Sequence, residues 1–246
     1  MKRETTNILR FVLEELIPPL ARDSRAMRWL FRRYWGDLID DLEVFKADIY
    51  RISEEEYADI YRRLPRIQNE TDNSRACLQA IAGELQGLEI LDVGCGTGFL
   101  IGHLQQTTHG KHFSGVDIII DQETKNRYPD VAFHEAKIEN LPFEDRSFDT
   151  VICTHVLEHV LDIRRAVAEL RRVCRQRLII VVPKEREYQF AFNPHVHYFP
   201  YIGSFLRHII PVPKKVECRL IGRDIFYYED SAPVVDCTAD GEVIRA

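Results

Sequence analysis

Apolar residues recur along this chain in two rhythms, and the change between them falls near residue 87. Up to about residue 86 the spacing is helical, with almost no strand signal. Leu9, Val12, Leu13, Leu16 and Ile17 share one face of a predicted helix that Pro18 and Pro19 end. The stretch "LARDSRAMRWLFRRYWGDL" predicts a second helix, with Arg22, Arg25, Arg28 and Arg32 at three- or four-residue steps and Met27, Leu30 and Tyr34 recurring elsewhere around it. "SEEEYADIYRRL" predicts a third, capped by Ser53, with Glu54, Glu55 and Glu56 at its positive end and Pro65 beyond it. "NETDNSRACLQAIAGELQGL" predicts a fourth.

From Leu88 onward short apolar runs alternate with helical stretches: "LEILDVG", "FLIGHLQQ", "HFSGVDI", "FDTVICTHV", "IRRAVAELRRVC" and "RLIIVVP". That alternation predicts an α/β fold, a Rossmann-like doubly wound and mostly parallel sheet with helices on both faces. "VECRLI" and "DIFYYED", separated by "GR", predict a C-terminal antiparallel hairpin. The tail after Ser231 is more polar, with a turn signal at Asp240 and Gly241. Two units are expected: a helical extension over residues 1–86, placed to cover a substrate, and a main domain over 87–246.

Composition narrows the classes. A chain of 246 residues that is 45% hydrophobic can bury a full core. A formal charge of −6 offers no overall attraction to phosphate backbones and disfavours nucleic acid as a partner. No apolar run reaches the roughly 18 residues of a membrane span, and the charged start "MKRETTNILR" lacks a secretory apolar segment, so the cytoplasm is the expected compartment. The six cysteines are scattered without a Cys-x-x-Cys pair, which argues against a disulfide framework or a cysteine zinc site. The arginine steps near the N-terminus read either as a solvated face or as a basic face for an anionic acceptor or a lipid headgroup, the latter allowing peripheral membrane contact.

The candidate chemistry centres on "EILDVGCGTGFL", Glu89 to Leu100. A strand ending at Val93 that turns into a helix at Phe99 presents its turn at the carboxyl edge of the sheet, where ligands bind. Its backbone N–H groups are expected to be free to meet one. Gly94, Gly96 and Gly98 permit positive φ and close approach. A dinucleotide fingerprint would need a third glycine where Phe99 stands, and no Gly-Lys-Ser/Thr follows for a Walker A loop. Asp117 ends the next strand, where a carboxylate can accept the two hydroxyl hydrogens of a ribose.

Four ordered blocks, "ILDVGCGTG", "GVD", "AKIENLPFEDRSFD" with "VICTHVLEHV", and "LIIVVPK", resemble the class I S-adenosylmethionine-dependent methyltransferases over about Leu88 to Lys184. The resemblance implies S-adenosyl-L-methionine as cofactor. It places the turn from Gly94 through Cys95 and Gly96 to Gly98 against the methionine part, Asp92 at its amino end, Asp117 and the adjacent Ile118 at the ribose, and Thr154 and His155 at the floor. The family usually has an aspartate where this chain has Lys137, followed by a small residue where it has Ile138. A lysine cannot accept from the adenine amino group, although the backbone N–H after it can serve a ring nitrogen.

Histidines invite further readings. "HVLEH", His155 to His159, has the form of an inverted zinc-peptidase motif, but it follows a strand instead of lying inside a long helix, so a metalloprotease is disfavoured. In "NPHVHYFP", His195 and His197 could act as a base, make loop hydrogen bonds, or share a metal whose further ligands the sequence does not locate. No metal site is expected. Tyr188, Phe190, Phe192, Tyr198 and Phe199 form either an aromatic wall beside an acceptor or part of the core. The reading that follows is methyl transfer to a small-molecule acceptor, anionic or lipid-linked, with His155, His195 and His197 as candidate proton acceptors. The alternative is a methyltransferase-like domain that binds cofactor or partner without catalysis.

Overall fold

Pro18 and Pro19 divide the N-terminal segment. A π-helical turn, Val12–Leu16, reaches an extended Ile17, and α1 (Pro19–Arg22) then starts on the second proline, whose missing N–H is no loss at that position. The computed structural model describes residues 11–36, 38–49, 51, 53, 55–56, 71–187 and 194–231. The expected single helix from Leu20 onward is two. Helical geometry is lost at Asp23, and Ser24 Oγ accepts the Met27 N–H at 3.2 Å to cap α2 (Arg25–Trp35). Gly36, at φ 65°, ends α2, and α3 (Leu38–Asp48) follows. Leu13, Phe31 and Ile39 form a small core of their own between these pieces.

Ser53 and Glu56 cap each other reciprocally, Glu56 N–H to Ser53 Oγ at 3.2 Å and Ser53 N–H to Glu56 Oε2 at 2.7 Å, which marks the expected third helix start. The remainder of that helix, Pro65, most of the aromatic stretch (Tyr188, Phe190, Phe192), Leu9 and the Asp240–Gly241 turn lie outside the described residues. Ser74 caps α4 (Arg75–Glu84) through the Cys77 N–H.

The main domain runs β1 (Glu89–Val93), α5 (Phe99–Thr107), β2 (His112–Asp117), α6 (Gln122–Arg127), β3 (Ala132–Glu135), β4 (Phe148–Thr154), α7 (Ile163–Val173), β5 (Cys174–Pro183), α8 (Ile202–Leu206), β6 (Val216–Ile221) and β7 (Asp224–Asp230). The sheet order is β3-β2-β1-β4-β5-β7-β6. The first five strands are parallel and the last two run antiparallel as the expected hairpin. α6 and β3 were not visible in the hydrophobic pattern: α6 has the sequence "QETKNR", and three of the four β3 side chains are exposed.

Two cores explain the near-continuous apolar strands. On one face Ile90, Ile152, Ile179 and Val181 pack against α4 and α5 through Cys77, Ile81, Ile101 and Leu104. Their chain neighbours Leu91, Val151, Leu178 and Ile180 point the other way, against Ile163, Val167 and Leu170 of α7 and Phe205 of α8. Each of these fully buried side chains contributes about 1.5–3 kcal/mol. Arg171 ties the hairpin to α7: its Nε and Nη2 donate to the two oxygens of buried Glu229 at 2.7 and 2.8 Å, and Nη2 also reaches the Ile209 and Pro211 carbonyls.

Candidate functional site

The parallel arrangement puts the carboxyl ends of β1, β2 and β4 on one edge. Gly94, at φ 76°, begins the turn, and a Cβ there would lie 2.1 Å from Val156 Cγ2, so only glycine fits. At Gly96, φ 52°, a Cβ would meet nothing within 4 Å, which marks open space over the turn. The N–H groups expected to be free are largely committed. Gly94 and Cys95 both donate to the Val116 carbonyl, and Gly96 donates to Asp117 Oδ2 at 2.8 Å. The turn is therefore held to β2 by its own donors, and what it offers a ligand is room and negative charge.

That charge comes from Asp92 and Asp117. Asp92, at the buried end of β1, has its carboxyl pushed up to about 7 by burial and by the nearby Asp117 charge. A cationic ligand group there would be paid back in electrostatic energy, since it would restore the ionised carboxylate. Asp117 is half-buried and also accepts the Ile118 N–H at 2.7 Å. Ile118 itself is exposed beside it, an apolar surface at the strand end. Lys137 is exposed in the loop after β3, and Ile138 turns inward to the core.

Thr154 and His155 lie at the end of β4. Thr154 Oγ1 accepts from Asn73 Nδ2 at 3.0 Å, so the segment before α4 reaches the site, and Asn73 Oδ1 is buried without a hydrogen-bond partner. His155 adopts φ 55°, uncommon for a residue with a side chain, and its N–H donates to Val181. Its Nδ1 lies 3.6 Å from Glu158 Oε1, and its Nε2 is buried without a partner. Burial works against the charged ring, but Glu158, Asp224 and Asp72 prevail and hold its pKa above the ordinary histidine value.

His195 is buried, with Nδ1 hydrogen-bonded to buried Glu185. It stands edge-on to His159, ring centroids 4.7 Å apart. His197 points elsewhere, toward His208 at 5.4 Å. The two histidines of "NPHVH" therefore do not converge. Asn73, Glu158 and Glu185 were missed as site residues because their roles depend on burial and on how the fold brings segments together; only the "HVLEH" spacing hinted at Glu158. Across the site, Lys46 from α3 has a buried Nζ over the Tyr198 ring at 5.4 Å, and burial lowers its pKa to about 8. A cavity of about 620 Å³ adjoins this region, lined in part by Ile17, Pro18, Arg22, Arg186, Tyr198 and Tyr201.

The expected four-arginine face is not formed. Arg22 is buried beside Asp23, where α1 ends, and Arg28 and Arg32 are paired with Asp40 and Glu43 of α3. The outward face of α2 instead carries exposed Arg25, Trp29, Leu30 and Arg33.

Residues 91–182 match the family model described as a methyltransferase domain. Over 96 residues the chain is 34% identical to the phthiotriol/phenolphthiotriol dimycocerosates methyltransferase of Mycobacterium tuberculosis, covering 37% of this chain and 36% of that one. Over 116 residues it is 30% identical to the ubiquinone/menaquinone biosynthesis C-methyltransferase UbiE of Campylobacter jejuni, covering 44% and 49%. The chain thus spans between a third and a half of the length of these relatives. Among solved structures, the PH0226 protein of Pyrococcus horikoshii OT3 shares the fold with a TM-score of 0.55 at 19% identity, covering 71% of this chain and 99% of that one. Residues 91–182 thus form a methyltransferase domain, and the cofactor of that domain is S-adenosylmethionine. Among the described residues no helix is long and apolar enough to cross a membrane.

Proposed function

We propose that this chain transfers a methyl group from S-adenosylmethionine to a small-molecule acceptor with an apolar, lipid-linked part. The observation that carries the cofactor half is the acid pair around the glycine turn. Asp92 suits the ammonium end of the cofactor, Asp117 the ribose hydroxyls, and the open space over Gly96 admits its methionine part without a Cβ in the way. The bound cofactor supplies an already activated methyl group, so the protein's work is alignment and exclusion of water. Thr154 and His155 form the floor, and His155 Nε2 takes the proton of a hydroxyl acceptor.

The acceptor half rests on the N-terminal segment. The cavity between Ile17 and Pro18 on one side and Tyr198 and Tyr201 on the other offers apolar wall, with Arg22 and Arg186 lining it beside Glu14, Glu15 and Glu187. The exposed face of α2, with Trp29 flanked by Arg25 and Arg33 at four-residue steps, suits an anionic lipid surface from which such an acceptor could be taken. Two relatives over the shared segment are named as a phthiotriol/phenolphthiotriol dimycocerosates methyltransferase and a ubiquinone/menaquinone biosynthesis C-methyltransferase.

Titration calorimetry tests the cofactor half. S-adenosylmethionine binds and nicotinamide dinucleotides do not, and Asp117→Ala weakens the affinity by about 1.5–3 kcal/mol. Unchanged affinity in the folded variant would remove Asp117 from the site. Incubating labelled cofactor with organic-soluble and water-soluble small-molecule fractions tests the acceptor half: label is expected in the organic product, and label confined to the aqueous phase overturns the lipid-linked reading.

A further inference from the structure

We infer that Glu158, His159 and His195 form a binding site for a divalent first-row transition metal of the zinc class. A carboxylate oxygen of Glu158 and one ring nitrogen from each histidine lie within 4.8 Å of one another. Two imidazoles and one carboxylate, with a remaining position for water or a ligand oxygen, is a donor set that zinc and ferrous ions accept.

Three observations lift this cluster above a chance meeting of polar groups. Glu158 Oε2 is fully buried and has no hydrogen-bond partner, a costly state for a carboxylate oxygen that a cation would relieve. Both rings are held at Nδ1. His195 Nδ1 is bonded to the buried Glu185 carboxylate and His159 Nδ1 faces the Pro194 carbonyl at 3.3 Å, which selects the tautomer with the lone pair on Nε2. A histidine oriented by a carboxylate or a carbonyl is the usual support of a metal ligand. Finally, the two chain segments are clamped by backbone, since the Glu158 carbonyl accepts the Val196 and His197 N–H groups at 2.7 and 3.0 Å.

Metal–ligand distances of about 2.0–2.2 Å would draw the three atoms closer than they now stand, which side-chain rotation can supply. The sequence placed no third ligand beside His195; the fold supplies two, from a short turn, Leu157–His159, directly after His155. The inference stands apart from the acceptor reading, since metal binding can be measured without any methyl transfer.

The test uses untagged full-length protein stripped by chelator and titrated with Co²⁺, a spectroscopic substitute for zinc, with calorimetry against S-adenosylmethionine and circular dichroism as fold controls. One equivalent is expected to bind, with visible d–d bands of low-coordinate cobalt, and added Zn²⁺ should displace it. His159→Ala and His195→Gln should abolish the bands while cofactor binding remains, and Glu185→Gln should weaken cobalt affinity about 10- to 100-fold by releasing the His195 ring. Wild-type protein that binds no cobalt, or bands that survive both histidine substitutions, would overturn the site.

Discussion

Asn73 Nδ2 donates to Thr154 Oγ1 at 3.0 Å, a side-chain bond across 81 positions that joins the approach to α4 to the carboxyl end of β4. The other amide atom, Oδ1, is buried without a partner at the same place. Asn73→Ala removes this bond, a longer one to Thr71 Oγ1 at 3.4 Å and one unsatisfied oxygen together, so its effect on stability is expected to stay within about 1 kcal/mol in urea denaturation. Cofactor affinity, measured by calorimetry, should fall about five- to tenfold, the loss of roughly one hydrogen bond. A large stability loss with unchanged affinity would make Asn73 purely structural.

Asp92 sets a pH dependence. Its folded pKa of about 7 lies above the ordinary 3.8, so the folded protein without ligand holds a proton that the unfolded chain releases between these values. This contribution to stability is therefore lost as pH rises from about 4 to 7. The ionised form is the one that pairs with a cationic ligand, so S-adenosylmethionine affinity should rise about five- to tenfold from pH 6 to 7.5. Asp92→Asn should flatten both the melting-temperature profile and the affinity profile. A wild-type affinity independent of pH would show that Asp92 does not meet the ammonium group.

Lys137 stands exposed where the family usually has an acid. Lys137→Asp is expected to tighten cofactor binding by about 1 kcal/mol by restoring an acceptor for the adenine amino group. Calorimetry showing no gain, together with reduced methyl transfer, would assign the lysine a role of its own.

Arg171 is the cation of a largely buried pair with Glu229. Arg171→Ala strands that carboxylate in the core and removes the donor to two loop carbonyls, for an expected loss of about 3–5 kcal/mol. Chemical denaturation reads it directly. Loss below about 1 kcal/mol would mean that water replaces the guanidinium without penalty.

What the sequence by itself determined is local. The alternation of apolar runs and helical stretches specified the strands, the turn at Gly94 followed from glycine's freedom at positive φ, and Gly222 with Arg223 marked the closing hairpin. These features depend on neighbours a few residues apart. β3 escaped notice because an edge strand with exposed side chains has no apolar rhythm, and the second helix was drawn too long because Ser24 works as a cap only once Asp23 leaves helical geometry. Tertiary structure alone decided the site's electrostatics. The sheet order buries the end of β1 and sets it beside the end of β2, so that burial, and then the Asp117 charge, raises the Asp92 pKa. It turned Arg28 and Arg32 toward α3 instead of a ligand, parted His197 from His195, and carried His195 to Glu158 and His159. Burial and ion pairing depend on which surfaces exclude water together, and that is fixed by packing across the whole chain, not by spacing along it.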